Sequence, residues 1–260
     1  MMNTSVVAPH PRPFFEVTGL HFRLWPILFA GLLMQGILWP ARQVARWLYH
    51  NHPDLLFGQT WAFVGIAMLL QALGGLIGIL IMRRLLPAAD GHLRWPPGRS
   101  YAGLAAAIGV AMGLVMLVAD YWPQLLTQTA PDAGYDLTPV GASGWLAMMA
   151  ATGLAEETVF RGLLVGMLVV LVPGRLRLRS FEVPFAAVAV GLLFSVAHYE
   201  TFLADPLHLA IAQQLYAFIW ALVYVWLMEK SRSLLAPIIA HGLGNFTEVA
   251  LVMLMMSAWN

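Results

Sequence analysis

The chain has 260 residues, of which 60% are hydrophobic and only 10% charged, with a formal net charge of +1. A soluble domain carries about 25% charged residues, so lipid is the expected solvent for most of this one, and the charge balance indicates neither nucleic acid nor a strongly charged partner. Cys is absent, which excludes disulfides, thiol catalysis and cysteine metal sites.

In chain order, Met1 to Arg23 holds three prolines and no apolar core. It reads as a cytoplasmic tail, not a signal peptide, because the first apolar run begins near Leu24 and lacks a small-residue cleavage site. A bilayer-crossing helix takes roughly 20 mostly apolar residues. Segments 24–40, 61–82, 102–119, 145–171, 184–203, 207–228 and 234–256 meet or approach that length. Arg83, Arg84, Arg94 and Arg99 follow the second span, Arg175, Arg177 and Arg179 the fourth, and Lys230 and Arg232 the sixth. The loop Asp120 to Ser143 has three aspartates and no Lys or Arg, and Tyr199 to Pro206 has no basic residue. This alternation obeys the positive-inside rule with the N-terminus inside and the C-terminus outside. Arg42 and Arg46 dissent, and are expected on a short interfacial helix with Val44, Trp47, Leu48 and Tyr49. The expected fold is all-α: a polytopic helical membrane protein of about seven spans around a polar intramembrane cavity, with a tail (1–23), N-terminal spans and loops (24–143) and a core (144–256).

Three polar clusters interrupt the apolar segments of that core. Glu156 and Glu157 precede Arg161 in the fourth span, Phe194 precedes His198 in the fifth, and His241 precedes Asn245 in the seventh. Ionisable groups at bilayer depth are costly and by default mark a site, a relay or a pathway. Glu157 and Arg161 stand at i and i+4, stacked on one helix face, so the carboxylate is the natural partner of an arginine that lipid would penalise. Glu156 points about 100° away and stays free for other work, which makes it the candidate general base. His198 as a neutral imidazole can hold a water or ligate a metal. His241 and Asn245 can donate hydrogen bonds to a developing oxyanion, and Glu248 lies on roughly the same face as His241. Taken singly, each cluster is equally well explained as a buried ion pair or an interhelical hydrogen bond. Three helices each supplying a hydrolase-type group favour the functional reading.

The remaining features are expected to be structural. His208 follows Pro206 at a helix end, while His10, His21, His50, His52 and His92 fall in loops. Met253, Met255 and Met256 suit lipid-facing packing. Gly74, Gly75 and Gly78 predict a close helix approach. One tension concerns depth: at 1.5 Å per residue Glu156 and His198 lie roughly 20 Å from the inner ends of their spans and His241 about 10 Å. The groups meet only if the last helix tilts or starts earlier than residue 234.

Together the clusters resemble the CPBP family of CAAX proteases and bacteriocin-processing enzymes, also called the ABI family. Its Glu-Glu-x-x-x-Arg, Phe-x-x-x-His and His-x-x-x-Asn pattern is matched by Glu156, Glu157 and Arg161, by Phe194 and His198, and by His241 and Asn245. The run Ser233 to His241 is also similar to the family's Ser-Leu-x-x-Pro-Ile-x-x-His lead-in. The resemblance covers about residues 145–250 and implies a helical membrane core with a site-bearing cavity. It implies that Glu156 and His198 activate water and that His241 and Asn245 stabilise the oxyanion, with Glu157 and Arg161 in support. A single zinc ion on Glu156, His198 and His241 is compatible with it, as is a glutamate-activated water without metal.

The reading is therefore an intramembrane endopeptidase of a bacterial cytoplasmic membrane. Its substrate would be a CAAX-type prenylated protein or another membrane-associated peptide, arriving from the bilayer or its cytoplasmic side. Two other classes use the same residues differently. One is a non-catalytic membrane binding or immunity protein whose clusters are structural. The other is a proton-coupled transporter with Glu156, Glu248 and the histidines as a relay, disfavoured by the lack of an inverted repeat.

Overall fold

The computed structural model describes residues 15–19 and 23–259. Most of the expected tail over 1–23, with His10 and His21, lies outside the described residues. The chain folds as a polytopic helical bundle. Among the described residues six helical segments are long and apolar enough to cross a membrane. These are α1 (Leu24–Asn51), α2 (Thr60–Leu85), α3 (Ala102–Thr127), the stretch Phe185–Ala204, α8 (Leu207–Ser231) and α9 (Leu235–Ala258). A seventh helical path carries the acidic pair: α4 (Pro139–Glu157) runs through a π-helical stretch (Thr158–Val165) into α5 (Gly166–Leu171).

Several boundaries differ from those read in the sequence, each for a local reason. α1 continues past residue 40 to Asn51, so Arg42 and Arg46 belong to its last turns and not to a separate interfacial helix. Both arginines pair with Glu200, at 3.5 and 3.1 Å, and Arg42 also donates to the Ala197 carbonyl at 3.1 Å. α3 runs to Thr127, which places Asp120 inside a helix and buries it, where the sequence suggested a solvated loop. The helix bends at Tyr121, two residues before Pro123, whose ring and missing N–H disrupt the preceding turn. The fifth span is broken: α6 (Phe185–Val196) ends before His198, and a turn leads into the short α7 (Thr201–Ala204).

A small antiparallel sheet at the basic end was not among the expected elements. Strand β1 (Phe15–Thr18) pairs with β2 (Arg175–Leu178), which pairs with β3 (Phe181–Pro184). Glu16, Arg177 and Glu182 stand opposite one another across the three strands. The Arg175 and Arg177 guanidiniums hold the Glu182 carboxyl below the usual carboxylate range. Arg175 reaches on to Glu229 of α8 at 2.9 Å, tying the sheet to the bundle.

Glycines set the position of α9. A Cβ at Gly153 of α4 would lie 2.5 Å from the Ile238 carbonyl oxygen and 3.2 Å from the His241 Cβ. One at Gly242 would strike the Ala150 carbonyl oxygen, and those at Gly109 and Gly113 of α3 would lie 2.5 and 2.6 Å from the oxygens of Ala240 and Gly244. α9 is thus clamped between α3 and α4 by backbone-to-backbone approach, the small-residue packing that substitutes for a hydrophobic driving force in lipid. The glycines expected to pack closely in α2 do so: Gly74 faces Ile37, Gly75 faces Thr158 and Val159, and Gly78 faces Leu163.

The depth tension resolves without an earlier start for the last helix. The α8–α9 turn is itself buried, with Ser231, Ser233 and Leu234 inside the molecule. The α2–α3 loop folds over it: Ser233 Oγ donates to the Arg94 carbonyl at 2.6 Å and the Leu234 amide to the His92 carbonyl at 3.2 Å. His241 lies about 9 Å along a helix that begins inside the bundle, so it reaches the depth of Glu156.

Replacing Gly153 or Gly242 with Ala is expected to cost about 1–3 kcal/mol through overpacking, because backbone cannot step aside. Gly36→Ala, whose Cβ meets nothing within 4 Å, is expected to gain about 0.5–1 kcal/mol from helix propensity. Unfolding of the three variants in detergent, followed by circular dichroism, checks the contrast.

Candidate active site

The two adjacent glutamates have opposite surroundings. Glu157 and Arg161 are fully buried, 0% exposed, with Arg161 Nη1 3.0 Å from Glu157 Oε1. The same carboxylate oxygen accepts from His241 Nδ1 at 2.8 Å. Nη1 lies off the line of a good hydrogen bond, and Nε and Nη2 find no protein acceptor. The guanidinium is held instead over the rings of Phe194 and Tyr224, 4.6 and 4.8 Å from their centroids, an arrangement worth about 2 kcal/mol or more when desolvated. Phe160 closes the aromatic shell, edge-on to Phe194 at 4.7 Å.

Glu156 faces the other way, into a cavity of about 340 Å³ that is also lined by His198, His241, Asn245 and Glu248. Its Oε2 lies 3.6 Å from His241 Nε2. The His241 ring therefore bridges the pair: Nδ1 donates to Glu157, because a carboxylate only accepts, and Nε2 turns toward Glu156. Tyr224 lies parallel to that ring at 4.9 Å and 14°, fixing its plane.

His198 sits in the turn beyond α6. Its Nδ1 donates to the Phe194 carbonyl at 2.8 Å. A carbonyl cannot donate, so Nδ1 carries the hydrogen, and in the neutral ring Nε2 is left as an acceptor. The turn is held from three sides. Gln214 Nε2 and Thr201 Oγ1 donate to the His198 carbonyl at 3.2 and 2.8 Å, and Arg42 holds the carbonyl before it.

Asn245 donates to Thr152 Oγ1 at 2.8 Å, and that hydroxyl donates to the Met149 carbonyl at 2.7 Å. One amide hydrogen is thus committed to orientation, and the other is left for the cavity. Thr152 and Tyr224 were not singled out in the sequence. Thr152 lies one turn before Glu156, a spacing that a search for polar residues on the glutamate's own face would have found.

The structure thus brings Glu156, Glu157, Arg161, Phe194, His198, His241 and Asn245 into one region. Glu248 lines the same cavity but sits farther along it, against Asp120, whose carboxylate also accepts from the Tyr216 hydroxyl at 3.1 Å. As for a metal, among the described residues no three His, Asp or Glu side chains converge on one ion position. Both histidines have Nδ1 committed to protein acceptors, which leaves Nε2 as the ring nitrogen that could face a ligand. Glu156, His198 and His241, the ligands considered for zinc from the sequence, are not gathered as such a group here.

Residues 139–247 match the family described as type II CAAX prenyl endopeptidase Rce1-like. Over this region the chain is similar to that family. No curated protein and no solved structure matches the chain. The Rce1-like region runs from the start of α4 into α9 and contains every member of the three polar clusters. Asp120, Tyr121 and Tyr135, which line the far end of the cavity, lie outside it, and Glu248 falls one residue beyond its end.

The geometry separates the two glutamates by experiment. Glu157→Ala leaves Arg161 as an uncompensated buried charge and is expected to cost about 3–5 kcal/mol. Glu156→Gln removes no buried partner and is expected to leave the unfolding midpoint unchanged. Thermal unfolding of both purified variants checks this.

Proposed function

We propose that this protein is an intramembrane endopeptidase that cleaves a membrane-associated peptide by attack of water on a peptide carbonyl. The observation that carries the reading is the exposure of Glu156 to a polar cavity beside two oriented imidazoles, while its neighbour Glu157 is fully buried with its Oε1 engaged by Arg161 and His241. The family whose model residues 139–247 match supports peptide hydrolysis, and its description points to a prenylated CAAX-type chain as the substrate class.

In this mechanism a water held between Glu156 and His198 Nε2 attacks the carbonyl carbon, and Glu156 takes its proton. The oxyanion that forms is met by the free amide hydrogen of Asn245 and by His241 Nε2 when that nitrogen carries a proton. Two carboxylates and one guanidinium surround His241, so a proton on its ring brings the formal charge of the cluster to zero. Collapse of the tetrahedral intermediate breaks the C–N bond, and Glu156 returns its proton to the leaving amine. The products are a carboxylic acid and an amine, which exchange a proton to give carboxylate and ammonium. Glu157, Arg161, Phe194, Tyr224 and Thr152 act by positioning His241 and Asn245. No step requires a metal ion. The basic loops support an orientation with the N-terminus on the cytoplasmic side.

The test is purified protein in lipid, incubated with prenylated and unprenylated membrane peptides, with products read by mass spectrometry. Glu156→Gln is expected to lower the rate by on the order of 10²–10⁴-fold, the usual contribution of a general base. His198→Ala is expected to behave similarly. Full cleavage by either variant removes that residue from the mechanism. Cleavage is also expected to survive prolonged treatment with a strong chelator. Loss on chelation that zinc restores would overturn the metal-free route.

A further inference from the structure

Among the described residues, the lining of the cavity that contains Glu156 extends from the site toward one end of the bundle. From the site its walls follow α8 backward from Tyr224 through Tyr216 to Leu209, and α9 forward from His241 to Val252. On α3 they reach Asp120, and in the turn before α8 they reach the exposed Asp205. Each of these paths runs away from the sheet. In the other direction the way is filled: the α2–α3 loop is hydrogen-bonded over the buried α8–α9 turn, with Gly91 seated against Ile79 and the Gly162 carbonyl.

The two ends differ sharply in charge. Ten of the 14 Lys and Arg residues stand at the sheet end: Arg23, the basic residues of the α2–α3 loop and α2 terminus, the β-hairpin, and the α8–α9 turn. Among the described residues only Arg42 and Arg46 stand near the cavity mouth, and both are tied to Glu200. The mouth end also carries Asp54, Asp132, Asp136 and Asp205. Basic loops mark the cytoplasmic side of a membrane protein. The mouth then lies on the opposite side. Of the two entry routes expected from the sequence, entry from the cytoplasmic side is incompatible with basic loops inside, whereas entry from the bilayer stays open.

We infer that the cavity opens on the non-cytoplasmic face, so that the substrate is a membrane-associated peptide segment already translocated across the membrane, in place of the prenylated CAAX-type chain, presented from the cytoplasm, that the family description names. The term substrate rests on the peptidase reading, whereas the side of the mouth does not.

The natural absence of Cys allows a direct test. Single-cysteine variants Asp205→Cys, at the mouth, and Arg99→Cys, in the exposed α2–α3 loop, are expressed in a bacterial host and treated in intact cells with a membrane-impermeant maleimide. Asp205→Cys is expected to label in intact cells, and Arg99→Cys only after permeabilisation. The reverse pattern, or equal labelling of both in intact cells, overturns the inference. With added peptide, cleavage is expected in right-side-out vesicles and not in sealed inside-out ones; cleavage confined to inside-out vesicles overturns it as well. Labelling does not depend on turnover. The expected labelling with no cleavage in either orientation would count against the peptidase reading while upholding the position of the mouth.

Discussion

The Glu157 carboxylate is the group on which the site depends. It is fully buried in a protein whose solvent is largely lipid, a setting in which an ionised carboxylate survives only when paired. Its two partners come from different places in the chain: Arg161 from the next turn of the same helical path, and His241 from α9, 84 positions away. Satisfying this one oxygen therefore requires α4 and α9 to meet at a defined depth. The glycine contacts at Gly153 and Gly242 make that approach sterically possible. The interhelical crossing and the electrostatic pair are two aspects of one constraint.

A consequence is the division of labour between adjacent residues. Consecutive positions on a helix point in different directions, so when Glu157 is turned into the aromatic shell around Arg161, Glu156 is turned into the cavity. The buried partner sets the angle of the exposed one. The same economy applies to His241, one nitrogen of which is fixed by Glu157 so that the other is aimed at Glu156.

The sequence conveyed the helical fold, the polar clusters and the pairing of Glu157 with Arg161, because helical periodicity and the cost of charge in lipid are both local signals. It did not convey the third partner, since nothing in the spacing of His241 says which of two neighbouring carboxylates its ring will meet. Asp120 was misplaced because an aspartate beside a proline-containing stretch looks like a helix end, whereas the helix bends at Tyr121 and continues. The sheet was missed for a related reason: β2 and β3 are four residues each and rich in charge, and their pairing with β1 spans most of the chain. Arg42 and Arg46 looked anomalous only because their partner, Glu200, lies more than 150 residues away.

The π-helical stretch from Thr158 to Val165 bears on more than its own eight residues. Hydrogen bonds from i to i+5 wind the chain through fewer turns than an α-helix of the same length, so the stretch acts as a phase shifter between α4 and α5. Every residue within it is buried, as are Gly166, Met167 and Leu168 just beyond. Rewound as regular α-helix, the segment would rotate everything downstream relative to Glu156, presenting a new face of α5 to α2 and carrying Arg161 out of its aromatic shell. The register of Glu156 and the packing of the following helix are thus geared together, and a single-residue deletion here would disengage both at once.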